Sequence, residues 1–295
     1  MENIIKTGFR EYDYLTKGLH SGELIIIGGR AAMGKTTVAL NLARNIVLKE
    51  NIPVVYFSLE MSKERIINRI NSHPKKVTEN FIVDDTPAIT VEVVCEKCLK
   101  LKEEENIGLI IIDYFQLLEG AKRKGSELLM KLKALARVIN VPIIVTSQLS
   151  RNVENRKNHR PKLIDLEKMG VIEQYVDTII FLYRDECYDD DSERRGIIEL
   201  NVVKQLNDKV GTVEMIFIWE DCVVANMNIG KCYEIKVDEV ETNQIRRSYF
   251  NNGYDLVDEV LEYVEGTKIR RCYFIKEEKG VWLTTCITMK YVDKE

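Results

Sequence analysis

The chain has 295 residues, 45% of them apolar and 31% charged, with a formal net charge of -4. That length accommodates one large domain and a small one, and the balance excludes a disordered or fibrous chain. The net negative charge excludes a global basic field, so any nucleic-acid contact must come from a local patch. In chain order, short apolar runs predict strands at ELIIIGG (23–29), PVVYFSLE (53–60), NFIVDD (80–85), GLIIIDY (108–114), VPIIVTSQ (141–148), DTIIFLYR (177–184), IELNVVKQ (198–205) and TVEMIFIW (212–219). Several are apolar almost throughout, as strands buried on both faces are. Helix-period stripes lie between the early ones, in TTVALNLARNIVLKEN and SELLMKLKALARVIN. Strand and helix alternating in this way predict an α/β fold with a mostly parallel central sheet and right-handed crossovers.

Past about residue 228 the text changes. Strand-like runs surround one predicted helix, DLVDEVLEYVEG, and the expectation is a boundary between a domain 1–228 and a small α+β appendage 229–295. Arg246, Arg247, Tyr249, Arg270, Arg271 and Tyr273 read as a solvated strand face, because acidic residues are interleaved among them. The seven cysteines form no secreted-type framework, the N-terminal MENIIKTGFREYDYLTKG has no apolar signal core, and no run approaches the ~20 apolar residues of a membrane span. The simplest expectation is a cytoplasmic protein with reduced thiols and no membrane contact. Cys95 and Cys98 form a C-x-x-C inside a helix-patterned segment with no second Cys/His pair at zinc spacing, so they read as helix residues rather than a metal or redox site.

GRAAMGKTT follows the strand ELIIIG and opens a helix. It fits the phosphate-binding G-x-x-x-x-G-K-[ST], with Gly29, Arg30, Ala31, Ala32, Met33, Gly34, Lys35, Thr36 and Thr37 forming the loop and first helical residues. The backbone N–H groups and the helix N-terminus supply partial positive charge for a phosphate chain. Lys35 would reach the β- and γ-phosphates of ATP, and Thr36 would hold Mg²⁺. The cation also needs a carboxylate from a neighbouring strand, and Asp113 ends four consecutive apolar residues. The place directly after it, where many such enzymes carry the water-orienting base, is Tyr114, so that role is assigned to Glu60 at the end of PVVYFSLE. Gln148, ending VPIIVTSQ, can sense the γ-phosphate.

These segments, together with VDDTPAIT, IIIDYFQLL, RPKLIDL, IEQYVDTIIFLYRDE and VVKQLN, fall in one order across residues 6–228. The order resembles the C-terminal motor domain of DnaB-type replicative helicases. The resemblance implies a RecA-like P-loop fold, ATP hydrolysis with Mg²⁺, single-stranded DNA as a partner, self-association into a ring or filament, and possible contacts with replication proteins. It also implies Glu60 as the catalytic carboxylate and Gln148 as the coupling residue.

Four departures qualify it. About six residues precede the resembling stretch where the family carries a collar domain, so that route to a ring is expected to be missing. AKRKGS reads as a short loop where the family has a longer one. A turn that reads D-L-R-x-S-G in the family is DLEKMG, with Glu167 in the arginine place and Lys168 beside it. K-Q-R-N becomes KQLN: Lys204, implied to reach a neighbouring subunit's γ-phosphate, is kept, while Leu206 stands at the arginine position and Lys209 is out of register. An arginine there can be worth ~10³–10⁵ in rate.

SRNVENRKNHRPK (150–162) places Arg151, Arg156, Lys157, His159, Arg160 and Lys162 against one acid, Glu154. With no Phe, Tyr or Trp between 149 and 174, contacts from Arg151, Arg156, Lys157, Arg160, Lys162 and Lys168 would be to DNA phosphates, sequence-independent and salt-sensitive. The leading expectation is an ATP-driven DNA helicase lacking the collar. The alternative is a RecA-like ATPase that does not unwind and acts as an assembly switch, and a third reading is a nucleotide-binding regulator.

Overall fold

The structure is a computed structural model. It describes residues 4–71, 76–77, 79–169, 174–206, 209–219 and 222–226, without the side chains of 167–169, and the backbone of the strands at 233–237, 255–264, 267–278 and 281–291. The chain divides into two compact units, Met1–Val224 and Ala225–Glu295.

In the first unit, β1 (Ile4–Ile5) and β2 (Leu19–His20) pair antiparallel on either side of α1 (Arg10–Thr16). Then come β3 (Leu24–Gly29), α2 (Lys35–Asn45), β4 (Val54–Ser58), α3 (Lys63–Ile70), β5 (Phe81–Asp84), α4 (Val91–Glu105), β6 (Leu109–Asp113), α5 (Ala121–Ile139) and β7 (Ile143–Gln148). Strands β8 (Thr178–Tyr183), β9 (Ile197–Lys204), β10 (Gly211–Ile218) and β11 (Val223–Asn226) complete one nine-stranded sheet in the order β11-β10-β9-β8-β3-β7-β6-β4-β5. From β5 to β8 all neighbours run parallel, and β9 and β10 turn back antiparallel. All eight runs read as strands from the sequence form strands of this sheet.

The sheet is covered on both faces, which is why its central strands are apolar throughout. Ile25 and Ile27 pack with α2 and α3 on one side, while Leu24 and Ile26 pack with α4 and α5 on the other. Burying each such side chain contributes about 1.5–3 kcal/mol. Thr90 caps α4, its Oγ1 accepting from the Val93 N–H at 3.3 Å, worth about 1 kcal/mol. Cys95 and Cys98 lie on this helix, and burial pushes both thiols up. Among the described residues no three Cys, His or acidic side chains cluster as a metal site, and no helix is long and apolar enough to cross a membrane.

Two expectations are corrected. AKRKGS is not a loop but the start of α5, kinked at Lys124 (φ -127°, ψ 32°). Gly120, at φ 81°, begins the helix there, and its carbonyl accepts from the N–H groups of both Arg123 and Lys124. In the second unit, DLVDEVLEYV is not a helix but β13 (Asp255–Val264), which follows β12 (Tyr233–Val237). It pairs antiparallel with β14 (Thr267–Glu278), which pairs antiparallel with β15 (Val281–Tyr291); β12 adds in parallel to β15. The apolar residues of this segment suit either period, and hairpin pairing along nearly its whole length satisfies its backbone as strand. Arg270, Arg271 and Tyr273 are on β14, while Arg246, Arg247 and Tyr249 lie outside the described residues.

Candidate functional site

The carboxyl ends of parallel strands form a natural ligand edge in such sheets. Gly29 is in register with Gln148 across β3 and β7, and Ser58 with Asp113 across β4 and β6. Glu60 follows Ser58 in a tight turn, where the Leu59 N–H donates to Asp113 O at 2.8 Å and Ser58 Oγ donates to Met61 O at 2.6 Å. Ser62, not Glu60, occupies the N-cap of α3, so the carboxylate of Glu60 is not spent on the helix. Gly29, Gln148, Asp113 and Glu60 thus emerge at the same edge of the sheet.

The loop between β3 and α2 reaches this edge. Gly34 has φ 91°, and a Cβ there would meet Phe217 Cε2 at 2.6 Å, so glycine is required on both counts. Phe217 is fixed in turn by Arg184, whose guanidinium lies 3.9 Å from its ring centroid. Lys35 Nζ donates to Arg30 O at 2.9 Å; burial pulls its ammonium below the ordinary lysine value, opposed by the charges of Asp113 and Glu60. Thr36 Oγ1 donates to Asp113 Oδ2 at 2.7 Å, the Tyr56 hydroxyl donates to the same oxygen at 2.7 Å, and Thr146 Oγ1 donates to Oδ1. Burial and the Asp113 charge raise the Tyr56 phenol well above its ordinary value, so it stays a donor. The carboxylate is therefore aimed by three hydroxyls.

These groups line one open cavity of about 560 Å³, with Ala31, Ala32, Gly34, Lys35, Thr36 and Thr37 on the loop side and Glu60, Asp113, Tyr114 and Gln148 opposite. Sequence reasoning missed Arg65, Arg69 and Trp219, which also line it. Arg69 Nη2 donates to Thr37 Oγ1 at 2.9 Å, and Trp219 is 56% exposed. The available signal was the i, i+4 spacing of the two arginines just after Glu60. Gln148 is held through its backbone: Gln116 Nε2 donates to Gln148 O at 3.0 Å and to Ser147 Oγ at 2.9 Å.

Arg30 belongs to the loop, but its side chain leaves the cavity. Its Nε donates to Glu154 Oε1 at 2.9 Å and its Nη1 to Leu149 O at 2.8 Å. Only its main chain serves the loop toward the cavity, as acceptor of the Lys35 ammonium, and the guanidinium ties the phosphate-type loop to the basic segment after β7. Met33 is buried.

That basic segment is not the open array expected from sequence. Arg156 makes a two-pronged pair with Asp165, at 2.6 and 2.8 Å, and the Asp165 side chain is 1% exposed. Arg160 makes a similar pair with the buried Glu199, with its guanidinium 4.3 Å from the Tyr183 ring centroid. In both, the guanidinium charge is engaged in holding the segment, because buried carboxylates require partners. Arg151, Lys157 and Lys162 are exposed. The side chains of Glu167 and Lys168 lie outside the described residues.

Lys204 is in register with Ile179, which is in register with Ile26, partway back along β3 from its phosphate-loop end. Because β9 runs antiparallel, the chain beyond Lys204 heads away from that loop. Its Nζ donates to Val176 O at 2.7 Å. Leu206, just beyond, is 55% exposed.

Comparison with known proteins agrees with this architecture. The family described as DnaB-like helicase C-terminal domain has a model that matches residues 4–80 and 73–223. The replicative DNA helicase DnaB of Geobacillus stearothermophilus is 41% identical over an alignment of 249 residues, with coverages of 73% of this chain and 55% of that protein. The replicative DNA helicase DnaC of Bacillus subtilis (strain 168) is 39% identical over 249 residues, with the same coverages, 73% and 55%. The chain thus spans about half the length of these relatives. A solved ATPase domain superposes with a TM-score of 0.69 at 32% identity, covering 76% of this chain and 91% of that one. A DnaB-like replicative helicase, solved in a study of its interactions with primase, gives 0.70 at 32% identity, with coverages of 76% and 62%. With its central sheet, its glycine loop and these matches in agreement, the chain belongs to the DnaB-like helicase C-terminal domain family.

Proposed function

We propose that the chain is an ATP-hydrolysing motor acting on single-stranded DNA, and that domain 1–228 is the motor. One observation carries this reading: Lys35, Thr36, Glu60, Asp113 and Gln148 surround a single cavity at one strand edge. Residues 29–37 wrap the triphosphate through backbone N–H groups, and Lys35 exchanges its bond to Arg30 O for phosphate oxygens. Thr36 and Asp113 would hold Mg²⁺; their oxygens, already 2.7 Å apart, suit a hard cation that takes its remaining ligands from water and phosphate. When bound there, the cation draws charge from the β- and γ-phosphate oxygens. Glu60 orients a water and accepts its proton as the water attacks the γ-phosphorus and ADP departs. Trp219 offers a face for the base.

Gln148 shares its strand end with Leu149, whose carbonyl Arg30 holds, so a change at the γ-phosphate is felt in the basic segment. Single-stranded DNA phosphates meet Arg151, Lys157, Lys162 and Lys168. Lys204, directed away from its own cavity, serves the site of another copy in a ring or filament, and replication proteins are the expected further partners. A strand-separation assay tests the unwinding. ATP should open a duplex with a single-stranded tail while a non-hydrolysable analogue does not, and Leu206→Arg should raise the rate by restoring a cation beside Lys204. ATP hydrolysis without strand separation, in the wild type and in Leu206→Arg alike, would favour the assembly-switch reading, toward which the exposed Leu206 points.

A further inference from the structure

Arg65 is the one guanidinium of the cavity left unexplained. It is exposed on α3, lines the cavity with Lys35 and Glu60, and has no hydrogen bond or ion pair among the described residues. Its companion Arg69 is engaged differently, with Nη2 on Thr37 Oγ1 at 2.9 Å and Nε on Cys222 Sγ at 3.1 Å. The two are four residues apart on one helical face, about 6 Å along the axis. Arg65 is therefore the one whose backbone lies nearer the turn that carries Glu60. A long, unpaired cation lining the same cavity as Glu60 and Lys35 has the right chemistry to hold the γ-phosphoryl oxygens and to meet the charge that builds on them during transfer. Such a cation can be supplied by the same chain or by a neighbour. Beyond Lys204 at the end of β9 this chain presents the exposed Leu206, whereas within the cavity it presents Arg65.

We propose that Arg65 is a catalytic cation acting in cis, bonding the γ-phosphoryl oxygens of the ATP held by Lys35 of its own chain. As the water oxygen bonds to the γ-phosphorus, its proton passes to Glu60. The bond from the γ-phosphorus to the bridging oxygen breaks, and its electron pair leaves with ADP. Arg65 neutralises the equatorial oxygens throughout and exchanges no proton. This rests on the nucleotide reading given above.

The test uses the full chain and three readouts. Arg65→Gln keeps the helix preference and a polar end while removing the charge. It should lower kcat by about 100-fold or more, with Arg65→Lys recovering part of the loss. Affinity for a β,γ-imido triphosphate, read with a fluorescent label, should fall about tenfold while ADP affinity holds, because only the triphosphate reaches Arg65. Mixing Arg65→Gln chains with Lys35→Ala chains, which carry an intact Arg65 but an impaired phosphate site, should restore nothing. A kcat within about threefold of wild type, an equal loss for both nucleotides, or recovery on mixing would each overturn the proposal. A wild type that binds neither nucleotide would overturn the nucleotide reading itself and Arg65 with it, whereas normal wild-type turnover matched by Arg65→Gln would overturn Arg65 alone.

Discussion

Glu60→Gln is expected to lower ATP turnover by about 10²–10⁴-fold while leaving ATP affinity nearly unchanged. The amide keeps the volume and one acceptor but cannot take a proton from water. The affinity should survive because, among the described residues, Glu60 makes no hydrogen bond or ion pair to the glycine loop or to the Thr36–Asp113 pair: it enters the cavity from the turn after β4, tied to β6 through the Leu59–Asp113 backbone bond. Turnover under saturating ATP, measured beside equilibrium binding of a labelled nucleotide, separates the two effects. A variant that loses binding and turnover together would show Glu60 to be a structural support of the cavity rather than the base.

The second large effect is on stability. Arg156→Ala should cost about 2–3 kcal/mol, because it leaves Asp165 buried with its charge half-partnered. The Lys162 N–H still donates to Asp165 Oδ2 at 2.7 Å, which keeps the loss below that of a fully orphaned carboxylate. In a domain of this size that corresponds to a fall in Tm of about 5–10 °C. Lys157→Ala and Lys162→Ala should leave Tm near wild type, since both side chains are exposed, and should instead flatten the salt dependence of DNA binding by about one phosphate contact each. Thermal denaturation and binding titrations at several salt concentrations measure the two classes side by side. If Arg156→Ala left Tm unchanged and removed DNA binding, the division of the basic segment into staples and DNA-facing cations would be wrong.

That division shows what a sequence can and cannot carry. The sheet was legible because strands buried on both faces must be continuously apolar, and LIII in β3 or LIIID in β6 admit few other readings. The glycine loop was legible because its chemistry demands fixed spacing on adjacent residues. The ion pairs of Arg156 and Arg160 were not legible because their partners are elsewhere in the text: Asp165 is nine residues on and Glu199 thirty-nine, and only the fold brings them together. Arg65 and Trp219 were missed for the same reason. Trp219 belongs to no local motif and Arg65 carries only the weak signal of its i, i+4 spacing with Arg69; they become part of the cavity only when α3 and the end of β10 are placed against α2. The AKRKGS and DLVDEVLEYV segments failed differently, since their local signals suit two conformations and the choice rests on a glycine at a helix start and on a hairpin partner.

In the proposed mechanism a nucleotide cavity is coupled to a DNA-contacting segment through the bonds of Arg30 to Leu149 and Glu154. The ATPase rate of the full chain, with and without single-stranded DNA and alongside its mass in solution, tests this most directly. The expected result is an assembly larger than one chain whose hydrolysis rises when single-stranded DNA is added, with the rise fading as salt increases. A rate indifferent to DNA in every oligomeric state would contradict it.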